Sequence, residues 1–360
     1  MIVKKISLAA GVASLLTLCA VEVAACPICV PYPTTTLADV LIESESIVMV
    51  REDNERPYVF TPVEVLKGTT EGHEIDAFLD STSRRRLKQN PDDVAVLVRR
   101  APEEAWRYRS YASPDSQGFL RAIIEQSSHW NGARGSDRRI SFFTQYLTDP
   151  NPLIRNQAYL EAGRAPYSVI KTIAEAVPRD QILEFLADWR LVEWHSLFIL
   201  MLGQSKLPSD HAWIRSQVER RARFGITTNL SAWTTAYIEI TPETGIEDVE
   251  ALYFAERNRT PDELEEVHRS LSVLGSEGGA VAEPRIAQRR RRIVKSYAIL
   301  LEHHPTMAGG VASDLTNWKT RALVDQLSSI MESETMLDPG SEMAVSYYLS
   351  MAPRFRPIRK

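Results

Sequence analysis

Residues 142–162, FFTQYLTDPNPLIRNQAYLEA, decide the reading of the fold. Ile140, Phe143, Tyr146 and Leu147 recur at three- and four-residue steps, the period of an amphipathic helix. Asp149-Pro150-Asn151-Pro152 then stops it, because proline lacks a backbone N–H and disfavours helical backbone in the residue before it. Leu153, Ala158, Leu160 and Ala162 resume on a second helix. One such pair cannot bury its apolar faces alone and needs further helices stacked against it.

Downstream the helical period continues. Helices are expected over 166–177, 179–189, 191–202, 209–223, 229–239, 246–258, 261–274, 285–303 and 314–332. Gly203, Pro208, Gly225, Pro242, Gly245, Pro261, Gly275 and Pro305 separate them, which points to an all-α array.

Upstream of about residue 135 the period is strand-like. Leu37 to Ser44 reads as a short helix with Leu37, Val40 and Leu41 on one side. Ile47-Val48-Met49-Val50 is a β-branched apolar run, a buried strand. Further strands are expected over Tyr58–Leu66, Ile75–Leu79, Val94–Val98 and Trp106–Tyr111. Pro62 inside the second implies an edge or a bulge. Five short strands with turns suggest a small antiparallel barrel or sandwich. The expected class is therefore α+β, with that β module followed by the helical array. The expected division is 1–25 leader, 26–126 β-rich module, 127–138 linker around Gly132, Gly135 and Ser136, 139–338 helical region, and 339–360 tail with a short helix.

Residues 142–162 resemble a HEAT-type repeat, and the six-residue spacing from Asp149 to Arg155 fits that family's turn. The resemblance implies a right-handed stack of helix pairs used mainly to bind proteins. Asp149 is then expected to cap the second helix or to accept from backbone N–H groups in the turn. Arg155 is expected to reach a neighbouring repeat's acidic turn residue. A cysteine pair with a following proline, then LADVLIESESIVMVRE (37–52) and YVFTPVEVLKG (58–68), resembles the β-barrel module of the netrin and tissue-inhibitor-of-metalloproteinases class. In that class the first cysteine's amine and carbonyl chelate a protease zinc. This chain has CxxC where the class has CxC, and it lacks distant cysteines to pin the N-terminus.

The first residues read as an export signal: Lys4 and Lys5, an uncharged apolar stretch from Ile6 to Val21, then Val23-Ala24-Ala25 before Cys26. Ordinary signal peptidase and a bacterial lipobox route would cut the same bond. The apolar run is short of the roughly 20 residues of a membrane span. The expected location is periplasmic, outer-membrane-associated or secreted, with Cys26 a candidate membrane tether. Removal of residues 1–25 takes away Lys4, Lys5 and Glu22 and moves the net charge from −5 to −6. Mild acidity speaks against nucleic acid as a partner, which needs a strong basic field.

Cys19 leaves with the leader, so Cys26 and Cys29 remain. Either they form a disulfide, which export permits, or Cys26 is lipidated and Cys29 is free. A redox CxxC opens a helix whose N-terminus lowers the thiol pKa, and Val30-Pro31-Tyr32-Pro33 does not start one cleanly. Haem attachment needs His where Val30 stands, and a structural zinc needs four ligands.

Catalytic, cofactor and metal residues are not assigned. Glu265-x-x-His268 has di-iron spacing but no second copy. His303-His304 are adjacent on a helix and point apart, and His195 lies in an apolar segment. No H-E-x-x-H, G-x-S-x-G or glycine-rich phosphate loop occurs. Arg289 to Arg292 must spread around a helix, so one or two approach the core or pair with acids. Arg84-Arg85-Arg86 is a second cluster, suited to a solvated surface or to a polyanion. Trp189, Trp194, Trp213, Trp233 and Trp318 are core residues or line a binding face. The expected function is a non-enzymatic protein–protein interaction or scaffold protein of the cell envelope, its protein partner not specified by the sequence. The alternatives are an enzyme with a site at the domain junction or a metalloprotease-inhibitor-like module.

Overall fold

The computed structural model describes Ile28 and residues 35–53, 55–70, 75–131, 135–277, 283–333 and 335–357. It is a mixed α and β structure in which a five-stranded antiparallel sheet near the N-terminus precedes a helical region. The strands are β1 (Ser46–Glu52), β2 (Val59–Lys67), β3 (Ile75–Asp76), β4 (Val94–Arg99) and β5 (Arg107–Ala112), in the order β3-β2-β1-β4-β5. Strands fall where the apolar runs place them, except that the third ends at Asp76 and not at Leu79. Pro62 sits at a bulge: Met49 pairs with Glu64 and Val50 with Pro62, so Val63 is the extra residue.

The continuous apolar runs of β1 and β4 arise because both sheet faces are covered. Helices α1 (Leu37–Glu43), α2 (Ser81–Gln89) and α3 (Pro114–Ser127) supply the cover. Ile47, Met49, Val94 and Val96 pack with Leu37 and Leu41 of α1 and with Phe119, Leu120 and Ile123 of α3. Val48, Val50, Ala95 and Leu97 face the other way, against Phe60, Ile75, Leu79, Trp106 and Leu87 of α2. The expected β-rich module thus includes two helices, α2 and α3, that the periodicity did not give. In α2, STSRRRLKQ, Leu87 alone is apolar, so no helical stripe exists to read; Asp80 starts the helix by accepting from the N–H groups of Thr82 and Ser83. In α3, Pro114 at the first position and Asp115 after it are the start signals.

The helical region comprises α4 (Gly135–Thr144), α5 (Pro152–Gly163), α6 (Tyr167–Ile173), α7 (Arg179–Ala187), α8 (His195–Leu202), α9 (Pro208–Phe224), α10 (Leu230–Ile240), α11 (Gly245–Val249) with a π turn to Phe254, α12 (Pro261–Ser276), α13 (Pro284–His303), α14 (Ala308–Asn317), α15 (Val324–Glu332) and α16 (Pro339–Met351). The packing alternates. Helix α8 packs on α10, α10 on α12, α12 on α14 and α14 on α16, while α7 lies on α8, α9 on α10, α13 on α12 and α15 on α16. Two of the inner members are buried on every side: α8 from Ser196 to Leu202 and α10 from Leu230 to Ile238. The outer ones carry the charge: α9 buries Ile214, Val218 and Ala222 and exposes Glu219, Arg220 and Arg223.

The helix expected over 314–332 is broken. Lys319 and Leu323 adopt left-handed backbone (φ 50° and 53°), and Thr320–Arg321 pairs with Arg356–Pro357 as a short parallel ladder. Trp318 at the break is buried against Tyr297 and leaves no room for a side chain at residue 275, where a Cβ would lie 2.2 Å from its ring. The arginine run on α13 spreads as its spacing requires. Arg290 is buried and donates to the Gly275 carbonyl, Arg289 holds Glu239 and Glu277 at 2.9 Å each, and Arg292 holds Glu250 at 2.8 Å.

The two regions share one apolar core through α1, α3, α4 and α5. An ionic network lies beside it. Arg139 of α4 holds Asp39 of α1 and Glu161 of α5, each at 2.6 Å, and Arg164 holds Asp39 at 2.6 Å. Where a linker was expected, α3 runs into a 3₁₀ turn over Ser128–Trp130, and Trp130 packs on Phe142 and Phe143. Among the described residues no helix is long and apolar enough to cross a membrane.

Candidate functional site

A cleft of about 340 Å³ opens between two outer helices, α7 and α9, lined by Arg179, Leu183, Leu186, Ala187, Ser209, Asp210 and Trp213. The local sequence explains its character. In α7 (RDQILEFLA), Ile182 and Phe185 turn to the core, which leaves Leu183 and Leu186 half-buried on the adjoining face. In α9, Ile214, Val218 and Ala222 form the core stripe, and Trp213, one step round the helix, faces the cleft. The Trp213 ring meets the edge of buried Trp233 of α10 (5.2 Å, 84°), which fixes its orientation.

The polar end of the cleft is closed by an ion pair. Asp210 is buried, 2% exposed, and accepts from Arg179 Nε at 2.8 Å and Nη2 at 2.5 Å and from Ser205 Oγ at 2.5 Å. The Arg179 fork, above all, holds the Asp210 carboxyl below the usual carboxylate range. In the segments that follow α7 and precede α9, Val192 and Leu207 are about half exposed and Trp189 is 79% exposed. Of the tryptophans singled out in the sequence, Trp194, Trp233 and Trp318 are buried, Trp213 lines the cleft and Trp189 faces solvent.

The structure places the other candidates as follows. Cys26 and Cys29 lie outside the described residues, while Ile28 between them is buried in the core. At the 149–155 turn the side-chain cap on α5 is Asn151, whose Oδ1 accepts from Leu153 N at 3.0 Å. Asp149 Oδ1 accepts from Asn151 N at 2.8 Å, the second of the two roles expected of it. Arg155 Nη1 donates to the Asp149 carbonyl at 2.9 Å, so it reaches back into its own turn.

Glu265 is exposed, and His268 turns inward to lie 3.1 Å from Asp314, so the two do not converge. Asp314 also accepts from Ser272 (2.6 Å) and Tyr297 (2.5 Å), and burial pushes the Tyr297 hydroxyl well up. This is a buried carboxylate held by side chains from two neighbouring helices, α12 and α13. His195 Nε2 lies 3.1 Å from the Asp188 carbonyl and His304 Nε2 lies 3.1 Å from the Glu256 carbonyl. At the junction, Asp39 and Glu161 are matched by arginines, and among the described residues no histidine joins them. Among the described residues no group of three or more His, Cys, Asp or Glu is placed to hold a metal ion. In the Arg84–Arg86 cluster, Arg84 is bound to Glu52 and Arg86 lies 3.7 Å from the centre of the Tyr111 ring, so these two guanidiniums are engaged within the sheet region.

No family model, no curated protein and no solved structure matches the chain.

Proposed function

We propose that the chain is a non-enzymatic interaction protein of the cell envelope whose helical region holds a protein partner. The cleft between α7 and α9 carries the reading. It is concave and mainly apolar, with a rigid aromatic wall at Trp213 and one oriented polar group, the Arg179–Asp210 pair. Such a surface takes an apolar side chain or short helix face of a partner, with a polar group set against Arg179. Two further readings belong to the same proposal. Sequential packing of α8, α10, α12, α14 and α16, each with an outer partner helix, supports a HEAT-like array. The five-stranded antiparallel sheet behind the CxxC segment supports the netrin-like reading of the N-terminal module. Export, and tethering through Cys26, rest on the leader sequence.

The test uses the full chain with a photo-crosslinking residue at Leu183, in wild-type and Leu186→Glu backgrounds, against envelope extract. A defined partner peptide crosslinked from position 183 and lost in Leu186→Glu, at unchanged melting temperature, is the expected result. Crosslinking that is absent, or equal in both backgrounds, overturns the cleft as the binding surface.

A further inference from the structure

The sheet region carries a second cleft, of about 400 Å³, lined by Phe78, Asp80, Trp106, Arg107 and Tyr108. Its volume is in the ~300–1,000 Å³ range of small-ligand sites. It lies beside an aromatic platform built at some cost to the fold. Phe78 is 77% exposed and stacks on Tyr58 (6.0 Å, 11°). Tyr58 has left-handed backbone, φ 68°, where a bulky side chain is an outlier. Glu52 imposes it: Oε1 accepts from Tyr58 N at 3.0 Å and from Arg84 Nε at 2.7 Å, and the Arg84 guanidinium lies 4.4 Å from the centre of the Tyr58 ring. A strained residue, a buried carboxylate and a stacked guanidinium thus hold in place a phenyl ring that the core does not need.

The rest of the lining is polar at its tips. Trp106 forms an apolar wall, backed by Arg99 at 4.7 Å, and its indole N–H is buried without a partner among the described residues. The Arg107 side chain is 72% exposed, with Glu104 no nearer than 3.8 Å. Tyr108 brings a hydroxyl. Asp80 Oδ1 accepts two N–H groups of α2 and Oδ2 accepts Ser83 Oγ, which leaves capacity at Oδ2 for one more donor.

From this juxtaposition we infer that the cleft is a binding site for a saccharide that carries a carboxylate. A pyranose presents a face of polarised C–H groups, which suits the electron-rich face of an exposed phenyl ring. Its hydroxyls suit the Tyr108 hydroxyl and the open position on Asp80. A ring carboxylate suits the forked donor of Arg107. A proline-rich peptide fits less well, because it docks between separated aromatic ridges, and here the two exposed rings are stacked into one platform. The site is independent of the α7/α9 cleft.

Isothermal titration of the full chain tests it, with tetragalacturonate, maltotetraose, adenosine monophosphate and a proline-rich decapeptide as probes. The uronate tetramer is expected to bind more tightly than the neutral one. Phe78→Ala should weaken both by tenfold or more. Arg107→Gln should weaken the uronate alone and bring it level with the neutral sugar. Leu186→Glu, in the other cleft, should change neither. Failure of both saccharides to bind, or binding untouched by Phe78→Ala, overturns the site. Equal affinity for the two tetramers overturns the carboxylate. Phe78-dependent binding of the nucleotide or the peptide in place of the sugars overturns the ligand class.

Discussion

The sheet region and the helical region solve burial differently. In the sheet, the same two strands are buried on both sides: β1 and β4 send alternate residues into two separate apolar clusters. In the helical region, burial is divided between helices: α8 and α10 are buried all round, and α7 and α9 keep a charged outer face. The consequence is where open surface appears. The sheet region leaves its opening beside the segment that joins β3 to α2, at Phe78 and Asp80. The array leaves one between the outer helices α7 and α9, at Leu186 and Trp213. The first opening is rich in hydrogen-bonding tips and the second is mainly apolar, which separates a small polar ligand from a protein segment as the natural occupants.

The two modes of burial meet at the junction, where the regions share one core, and the junction tests the comparison most severely. Burial pushes the Asp39 carboxyl up, but the Thr36 N–H, Arg139 and Arg164 outweigh it and hold Asp39 below the usual range. Glu161 is 2% exposed and faces Arg139 at 2.6 Å. Arg139→Ala leaves two carboxylates in a confined site short of their counter-charge, a loss of about 3–5 kcal/mol for a buried pair. Urea denaturation followed by far-UV circular dichroism should show one transition at lower midpoint, because the apolar core is continuous across the junction. Two resolved transitions would mean the network alone holds the regions together. A loss below about 1 kcal/mol would place the network outside the energetics of the junction.

How far the sequence could be read follows the same division. Ile47–Val50 and Val94–Val98 mark the central strands because β-branched apolar runs have few other uses, and Pro62 marks the bulge. The same runs do not reveal what covers each face, so α2 and α3 stay hidden: one has a single apolar residue, and the other follows a strand with no loop between. The signals available were Asp80-Ser81-Thr82-Ser83 and Ser113-Pro114-Asp115, both helix starts. The break at Trp318–Leu323 was illegible because no proline or glycine marks it; packing of Trp318 on Gly275 and Tyr297 overrides local propensity. Of the two openings, the helical one was half legible, since Trp213 was singled out but could not be told from buried Trp233. The Ile75–Leu79 run places Phe78 in a strand, and nothing in Ala77-Phe78-Leu79 says which of the two large apolar side chains is exposed.

The turn at 149–155 sharpens the comparison at the helical end. Asn151→Ala removes the α5 cap and a 3.2 Å bond from Asn151 Nδ2 to Ser116 of α3, and should cost about 0.5–2 kcal/mol. Asp149→Ala removes one turn bond and should cost about 0.5–1.5 kcal/mol. Arg155 meets the carbonyl of Asp149 and not its carboxylate, so Asp149→Ala and Arg155→Ala should add in thermal denaturation. A double variant costing clearly less than the sum would show that the two side chains share a network.

The smallest effect expected is a pH dependence confined to the helical region. His304 ends α13, is 8% exposed, and lies between the Glu256 carbonyl and the neighbouring His303. Burial lowers its pKa, opposed by the bond to Glu256 and assisted by His303 and Arg257. The sign follows from linkage. The folded site keeps the ring neutral, while the unfolded chain takes up a proton near the ordinary value of about 6.5. The contribution to stability is therefore complete above about pH 6.5 and declines as the pH falls through the interval between the unfolded and the folded values. It then stays constant below the lower one. His304→Gln keeps an N–H donor for Glu256 and removes the titration. Melting temperatures between pH 7.5 and 5.5 should fall further for the wild type than for the variant, and the difference isolates His304 from the other histidines. Asp39 does not intrude, since its depressed pKa matters only below about pH 4. Parallel curves for the two proteins would mean that protonated His304 is accommodated at the end of α13, where the helix dipole favours a cation, and that the outer layer of the array is wetter than its packing suggests.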